Sequence, residues 1–288
     1  MIDYPRRLAR IRARSTAKVE GRSWFQIRGL AGDDQTTEIL VYDEIGFWGV
    51  MAADFVRALQ QIITPKILVR LNSPGGDVFD GLAIYNALRA HPATVQTHVE
   101  GLAASVASII MLAGDSVTAA EDSFVMVHAP WSIVIGDAGE MRAMADILDK
   151  IGGQIEAIYS KASGASAETV KGWMAGETWF TGAEAVAAGL VGELRDQPLT
   201  APASSTAEAA ALDLTAIFDH VPDSLQQRLG RARRPGDGQD GPEMARNGPE
   251  MAQQGAGEGR DDAGAPLAAA ALARRRRLQS ARLAGVGG

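Results

Sequence analysis

A chain of 288 residues that is 46% hydrophobic and 22% charged carries enough apolar surface for one sizeable core, which excludes a fibre or a wholly disordered polymer. Its 28 basic and 35 acidic residues leave a formal charge of -7, so specific nucleic-acid binding is not expected. No cysteine is present, which excludes a disulfide framework, a thiol nucleophile and Cys-ligated zinc; the chemistry has to rest on oxygen or imidazole.

Residues 1–34 form a basic N-terminal segment with Arg6, Arg7, Arg10, Arg12 and Arg14 and no following apolar run, unlike a secretory signal. From about 35 to 196 the texture is that of a packed domain. Apolar runs at Ile39–Tyr42, Ile67–Leu71, Val95–Val99 and Phe124–Val127 predict short strands, and helical patterns fall between them at Gly49–Ile63, Phe79–Ala90 and Ala104–Ala113. This βαβ series predicts an α/β fold with a mostly parallel sheet covered by helices. A long helix at Ala138–Ala162 breaks the alternation and carries Met141, Met144, Ile147, Leu148, Ile151, Ile155 and Ile158 at helical spacing, a stripe that a partner would cover. The longest uncharged stretches, Gly101–Gly114 and Ser123–Gly136, are 14 residues each, too short to span a bilayer. A cytoplasmic protein with no membrane helix is expected.

Residues 197–288 differ in kind. Phe218 is the only aromatic residue after position 196, and Gly-Pro-Glu-Met-Ala occurs at 241–245 and again at 248–252. Such a sequence buries too little to offset its chain entropy, so a largely disordered tail is predicted, with short helices at Ala207–Phe218 and at Pro266–Leu283 around Arg274–Arg277. The tail is expected to be dispensable for hydrolysis of a small ester.

Four motifs carry candidate chemistry. Asn72-Ser73-Pro74-Gly75-Gly76-Asp77 follows a predicted strand and precedes a helix; it suits an oxyanion hole, and equally a tight turn capped by Asp77. Gly101-Leu102-Ala103-Ala104-Ser105 sets one hydroxyl among small residues at a helix start, which suits an acyl-transfer nucleophile or simply close helix packing. His128 ends the strand Phe124–Val127, where sites of parallel sheets gather, and suits a general base. Glu177, in Glu177-Thr178-Trp179-Phe180-Thr181, is either an acid that orients the imidazole of His128 or a surface carboxylate. Nothing in these motifs calls for a cofactor or a metal.

In this order, and over about Ile39 to Leu194, these motifs resemble the ClpP family of serine peptidases, on the crotonase-like fold. The resemblance implies repeated βαβ units with a projecting handle helix at Ala138–Ala162, a ring-type homo-oligomer, Ser105 as nucleophile and His128 as base. It also implies oxyanion donors at the amides of Gly75 or Gly76 and of Val106. The housekeeping peptidase usually has a triad Asp where Thr178 stands, so Glu177 is the substitute acid expected here. The Glu-Thr-Trp-Phe-Thr run and the long C-terminal extension look more like the phage head-maturation branch, which implies an ATP-independent endopeptidase acting on scaffold and capsid proteins inside an assembling shell. The alternatives are a housekeeping-type subunit fed by an unfoldase, a crotonase-like acyl-CoA enzyme, and an inactive scaffold protein.

Overall fold

The computed structural model describes residues 23–30, 32–46, 50–195, 214 and 217–226. In chain order the elements are β1 (Phe25–Leu30), β2 (Asp33–Tyr42), α1 (Ala52–Leu59), β3 (Lys66–Ser73), α2 (Val78–Ala90), β4 (Thr94–Ala104), α3 (Val106–Met111), β5 (Ser116–Ala119), β6 (Phe124–Val127), α4 (Ala138–Ser163), α5 (Ala167–Ala175), β7 (Thr178–Thr181), α6 (Gly182–Ala187) and β8 (Glu193–Leu194). The strands make one sheet of order β1-β2-β3-β4-β5-β8, with β6 paired to β4 and β7 to β6. The β2-β3, β3-β4, β4-β5, β4-β6 and β5-β8 pairs are parallel; the β1-β2 and β6-β7 pairs are antiparallel. The mixed α/β expectation holds, and the arrangement is consistent with the fold that the resemblance implies.

What positions the site is a fork in β4. Its first half, Gln96–Val99, pairs with Ser116–Ala119, while its last residues, Leu102–Ala104, pair with Phe124–Met126. One strand of eleven residues therefore serves two neighbours, and the ends of β4 and β6 are brought side by side. The predicted helix over Ala104–Ala113 begins later, at Val106, because Ala103 and Ala104 are claimed by the strand ladder. Under the sheet, α2 meets α3 at Gly81, where a Cβ would stand 1.9 Å from Val106 Cγ2. Only glycine admits that approach, so the helix behind the Gly75-Gly76 turn is pressed directly onto the helix behind Ser105.

From the β1 edge inward to β4, a ladder of charges crosses the sheet. Arg28 Nε bonds Glu38 Oε2 at 2.5 Å, Arg70 Nη1 bonds Glu38 Oε1 at 2.8 Å, and Arg70 also pairs with Glu100. Glu38 and Arg70 are buried. Their alternating signs on adjacent strands let each charge be matched across the sheet, the condition for carrying ions inside. Beside them His98 shares a 2.8 Å hydrogen bond with the Thr118 hydroxyl. Burial, with Arg70 and Arg195 adding repulsion, holds its imidazole down at about 4.

The long helix forms as expected, over Ala138–Ser163, opened by an Asp137/Glu140 capping box and closed by Gly164 in the left-handed region (φ 78°). Its two halves differ. Ile155 and Tyr159 are buried against the domain, whereas no residue from 138 to 150 is, and Met141 and Ile147 are 49% and 45% exposed. No helix among the described residues is long and apolar enough to cross a membrane.

The expected boundary at 196 leaves out residues that pack. Leu214, Phe218 and Val221 are buried against Leu102, Ala104, Phe124 and Met126, a second apolar cluster on the β4-β6 strands. The physical reason is alternation: these four strand residues point away from the main core, and the sequence 214–225 supplies apolar side chains at spacings of three and four to cover them. The expected helix at Pro266–Leu283, with Arg274–Arg277, lies outside the described residues.

Candidate active site

Ser105 stands between β4 and α3 with φ 55° and ψ -130°. Positive φ is uncommon for a serine and costs on the order of 1–3 kcal/mol unless the surroundings fix it. Here they do. The Ser105 amide donates to Met126 O at 3.0 Å, and its carbonyl accepts from the Ser108 hydroxyl at 2.6 Å and the Ser108 amide at 3.0 Å. Ser108 Oγ is itself 2.7 Å from the hydroxyl of buried Tyr159, whose pKa is raised by burial. The long helix thus reaches the Ser105 backbone through two hydroxyls.

His128 follows β6 directly, and its Nε2 is 2.7 Å from Ser105 Oγ. Both side chains are half-buried. The next residue is tied down as well, Ala129 N donating to Met174 O at 3.0 Å. A hydroxyl held this close to an imidazole nitrogen, on backbone fixed from both sides, is competent for base-assisted nucleophilic attack.

The Gly75-Gly76 turn lies over this pair, and its two glycines have separate reasons. At Gly75 (φ 94°) a Cβ would stand 2.7 Å from Ala104 O and from Ser105 Cβ; at Gly76 it would stand 2.0 Å from Ile45 O. Gly75 therefore abuts Ser105, while Gly76 abuts the chain that leads out of β2, to which the turn is pinned by Ile45 N to Gly75 O (2.8 Å) and Asp77 N to Ile45 O (3.0 Å). The Gly75 amide donates to Ser73 Oγ at a long 3.2 Å. Among the described residues the amides of Gly76 and Val106 have no protein acceptor. Asp77 caps α2, accepting from Phe79 N and Asp80 N, as the turn reading expects.

Glu177 has a different occupation from the one expected of it. Its Oε1 accepts from His220 N at 2.7 Å and its Oε2 from Asp219 N at 3.1 Å. Thr178, at the position where the housekeeping peptidase carries its acid, donates its hydroxyl to Trp173 O at 2.8 Å. The reason is the returning segment: two consecutive amides at a chain bend offer a carboxylate two donors side by side. Sequence reasoning passed over Phe218 of that same segment, whose ring stands 5.8 Å from the His128 ring at 84°. Its signal was present in the isolation of that one aromatic residue in an otherwise aromatic-free tail. Among the described residues no cluster of His, Asp and Glu is arranged to hold a metal.

The profile of the family described as Clp protease matches residues 37–198. An ATP-dependent Clp protease proteolytic subunit of Bacteroides fragilis is 30% identical over 166 residues, covering 54% of this chain and 80% of that protein. The ATP-dependent Clp protease proteolytic subunit 3 of Streptomyces coelicolor is 34% identical over 173 residues, covering 56% and 80%. Subunit 2 of Mycolicibacterium paratuberculosis is 29% identical over 175 residues, covering 57% and 88%.

Proposed function

The chain belongs to the Clp protease family, and we propose that it is an active serine endopeptidase in which Ser105 attacks the scissile carbonyl and His128 takes the hydroxyl proton. The observation that carries this reading is the 2.7 Å approach of His128 Nε2 to Ser105 Oγ at a strained, doubly anchored backbone position. The proton taken by the imidazole is returned to the leaving amine, an acyl-enzyme remains on Ser105, and water activated by the same imidazole releases it. The oxyanion that forms in each half is assigned to the amide of Val106 and to that of Gly75 or Gly76; Gly75 has the closer backbone, and its long bond to Ser73 is weak enough to yield to a charged acceptor. No cofactor enters this scheme. The test is hydrolysis of a fluorogenic peptide and of casein by the full chain without nucleotide: wild type cleaves and Ser105→Ala does not. A Ser105→Ala chain that cleaves as wild type does would remove the mechanism.

The finer reading is maturation of a phage procapsid, by ATP-independent cleavage of scaffold and capsid proteins. It is supported by Glu177-Thr178-Trp179-Phe180-Thr181 in place of the housekeeping acid, by the basic start, and by the long extension after 196. The second reading is a housekeeping-type proteolytic subunit served by an unfoldase, which the names of the relatives favour. In both, copies of the chain assemble through the exposed half of α4. Co-expression with capsid and scaffold proteins, against co-purification with an unfoldase ATPase, separates the two: processing of the former without nucleotide supports maturation, and a stable nucleotide-dependent complex with the latter contradicts it.

A further inference from the structure

We infer that Phe218 is a positioning residue for His128, and that Glu177 serves as the clamp that holds Phe218 in place. This deepens the serine-peptidase reading and rests on it. The returning segment packs an aromatic ring against the site. Phe218 is 3% exposed and meets two rings nearly at right angles, His128 at 5.8 Å and Trp179 at 5.5 Å. The torsion that turns an imidazole about its Cβ-Cγ bond is broad, so hydrogen bonds alone leave it play. A perpendicular ring packed on it narrows that range, which matters because Nε2 has to stay within hydrogen-bond reach of Ser105 Oγ.

The clamp follows from the next two residues. Both oxygens of Glu177 are spent on the amides of Asp219 and His220, immediately after Phe218. Glu177 itself sits at φ 48°, a conformation that a non-glycine residue adopts at some cost. On this reading the acid next to the missing triad position acts on the imidazole through a third residue, and part of the presumed tail belongs to the catalytic unit.

The experiment is a double-mutant cycle in the full chain with a fluorogenic peptide, following kcat and KM separately, with the rate of fluorophosphonate labelling and the melting temperature alongside. Phe218→Ala is expected to lower kcat and the labelling rate by roughly 10-fold to 100-fold with KM within about twofold. Phe218→Leu, which keeps the bulk, should recover to within about fivefold of wild type. Glu177→Gln retains one acceptor and should cost about 3-fold to 10-fold in wild type, and less than about twofold on top of Phe218→Ala. If Phe218→Ala does not fold, Phe218→Leu and Glu177→Gln still decide. A loss of roughly 10²-fold or more from Glu177→Gln whatever stands at 218 would mean that the acid acts on the imidazole directly, and would overturn the inference. So would an unchanged kcat in folded Phe218→Ala, or a raised one, which would make the segment an inhibitory strap. A wild-type chain that neither cleaves nor labels would overturn the serine-peptidase reading, and this inference with it; normal wild-type activity with an indifferent Phe218 would overturn this inference alone.

Discussion

Ser105 and His128 stand at the ends of two neighbouring parallel strands, whereas Glu177 and Phe218 meet through a turn and a segment that returns from more than 30 residues downstream. The first pair is placed by register. Ala104 pairs with Met126, the Ser105 amide donates to the Met126 carbonyl, and His128 comes two residues later, so the hydroxyl and the imidazole meet because the ladder is in register. The second pair is held by two hydrogen bonds at exposed backbone and by a small apolar cluster. Register is a property of the whole sheet and fails only with it; a docked segment opens at lower cost. On the proposed mechanism one region supplies the reactive geometry, and the inference drawn from Phe218 has the other adjust it.

The largest effect expected comes from removing the ladder-held pair. Ser105→Ala or His128→Ala should each lower kcat by roughly 10³-fold or more, and the double variant no further, because the two act as one unit; melting temperatures should stay close to wild type. Steady-state kinetics with matched thermal melts check this. Next comes Gly75→Ala, which places a methyl 2.7 Å from Ser105 Cβ at a backbone φ of 94°. We expect a loss of roughly 10²-fold in kcat together with a stability loss of about 1–3 kcal/mol, measured by denaturant unfolding. Were Gly75→Ala as active as wild type, the turn would not be pressed on Ser105.

Two smaller effects sharpen the contrast between built and borrowed burial. Met141→Asp with Ile147→Asp puts charge on the half of α4 that the domain leaves uncovered, and sedimentation should show smaller species with activity reduced by about 10-fold. A wild-type chain that sediments as a fully active monomer would contradict the assignment of that face. His98 gives the smallest. Its pKa is lowered in the folded protein, from an ordinary 6.5 to about 4, so the unfolded chain takes up a proton first as pH falls. Its contribution to stability is complete above 6.5 and is lost between 6.5 and about 4. Over that window the melting temperature of wild type should drop roughly 5 °C further than that of His98→Gln.

The same contrast explains what was legible in the sequence. β3, β4 and β6 announce themselves as apolar runs, Asp77 as a cap, and the 138–162 helix by its periodicity; His128 stands out at the end of an expected strand, whereas Ser105 reads only as a hydroxyl among small residues at a helix start, and its role is implied by the family resemblance. β5 and β7 are as short as β6, but Ser and Thr interrupt or bound their apolar positions and leave no run to read, and β8 has only two residues. The occupation of Glu177 was not legible because its partners are backbone amides, which no side-chain motif reveals. Phe218 was visible as an isolated aromatic, but its target depends on the outward face of β4 and β6, and that face exists only once the sheet is formed.

The central claim is that Ser105 is a nucleophile activated by His128. Fluorophosphonate treatment of the full chain followed by peptide mass spectrometry tests it most directly. The account expects one adduct, on Ser105, formed in wild type, absent in Ser105→Ala and strongly slowed in His128→Ala. A folded wild-type chain that stays unmodified, or an adduct on any residue other than Ser105, would contradict it.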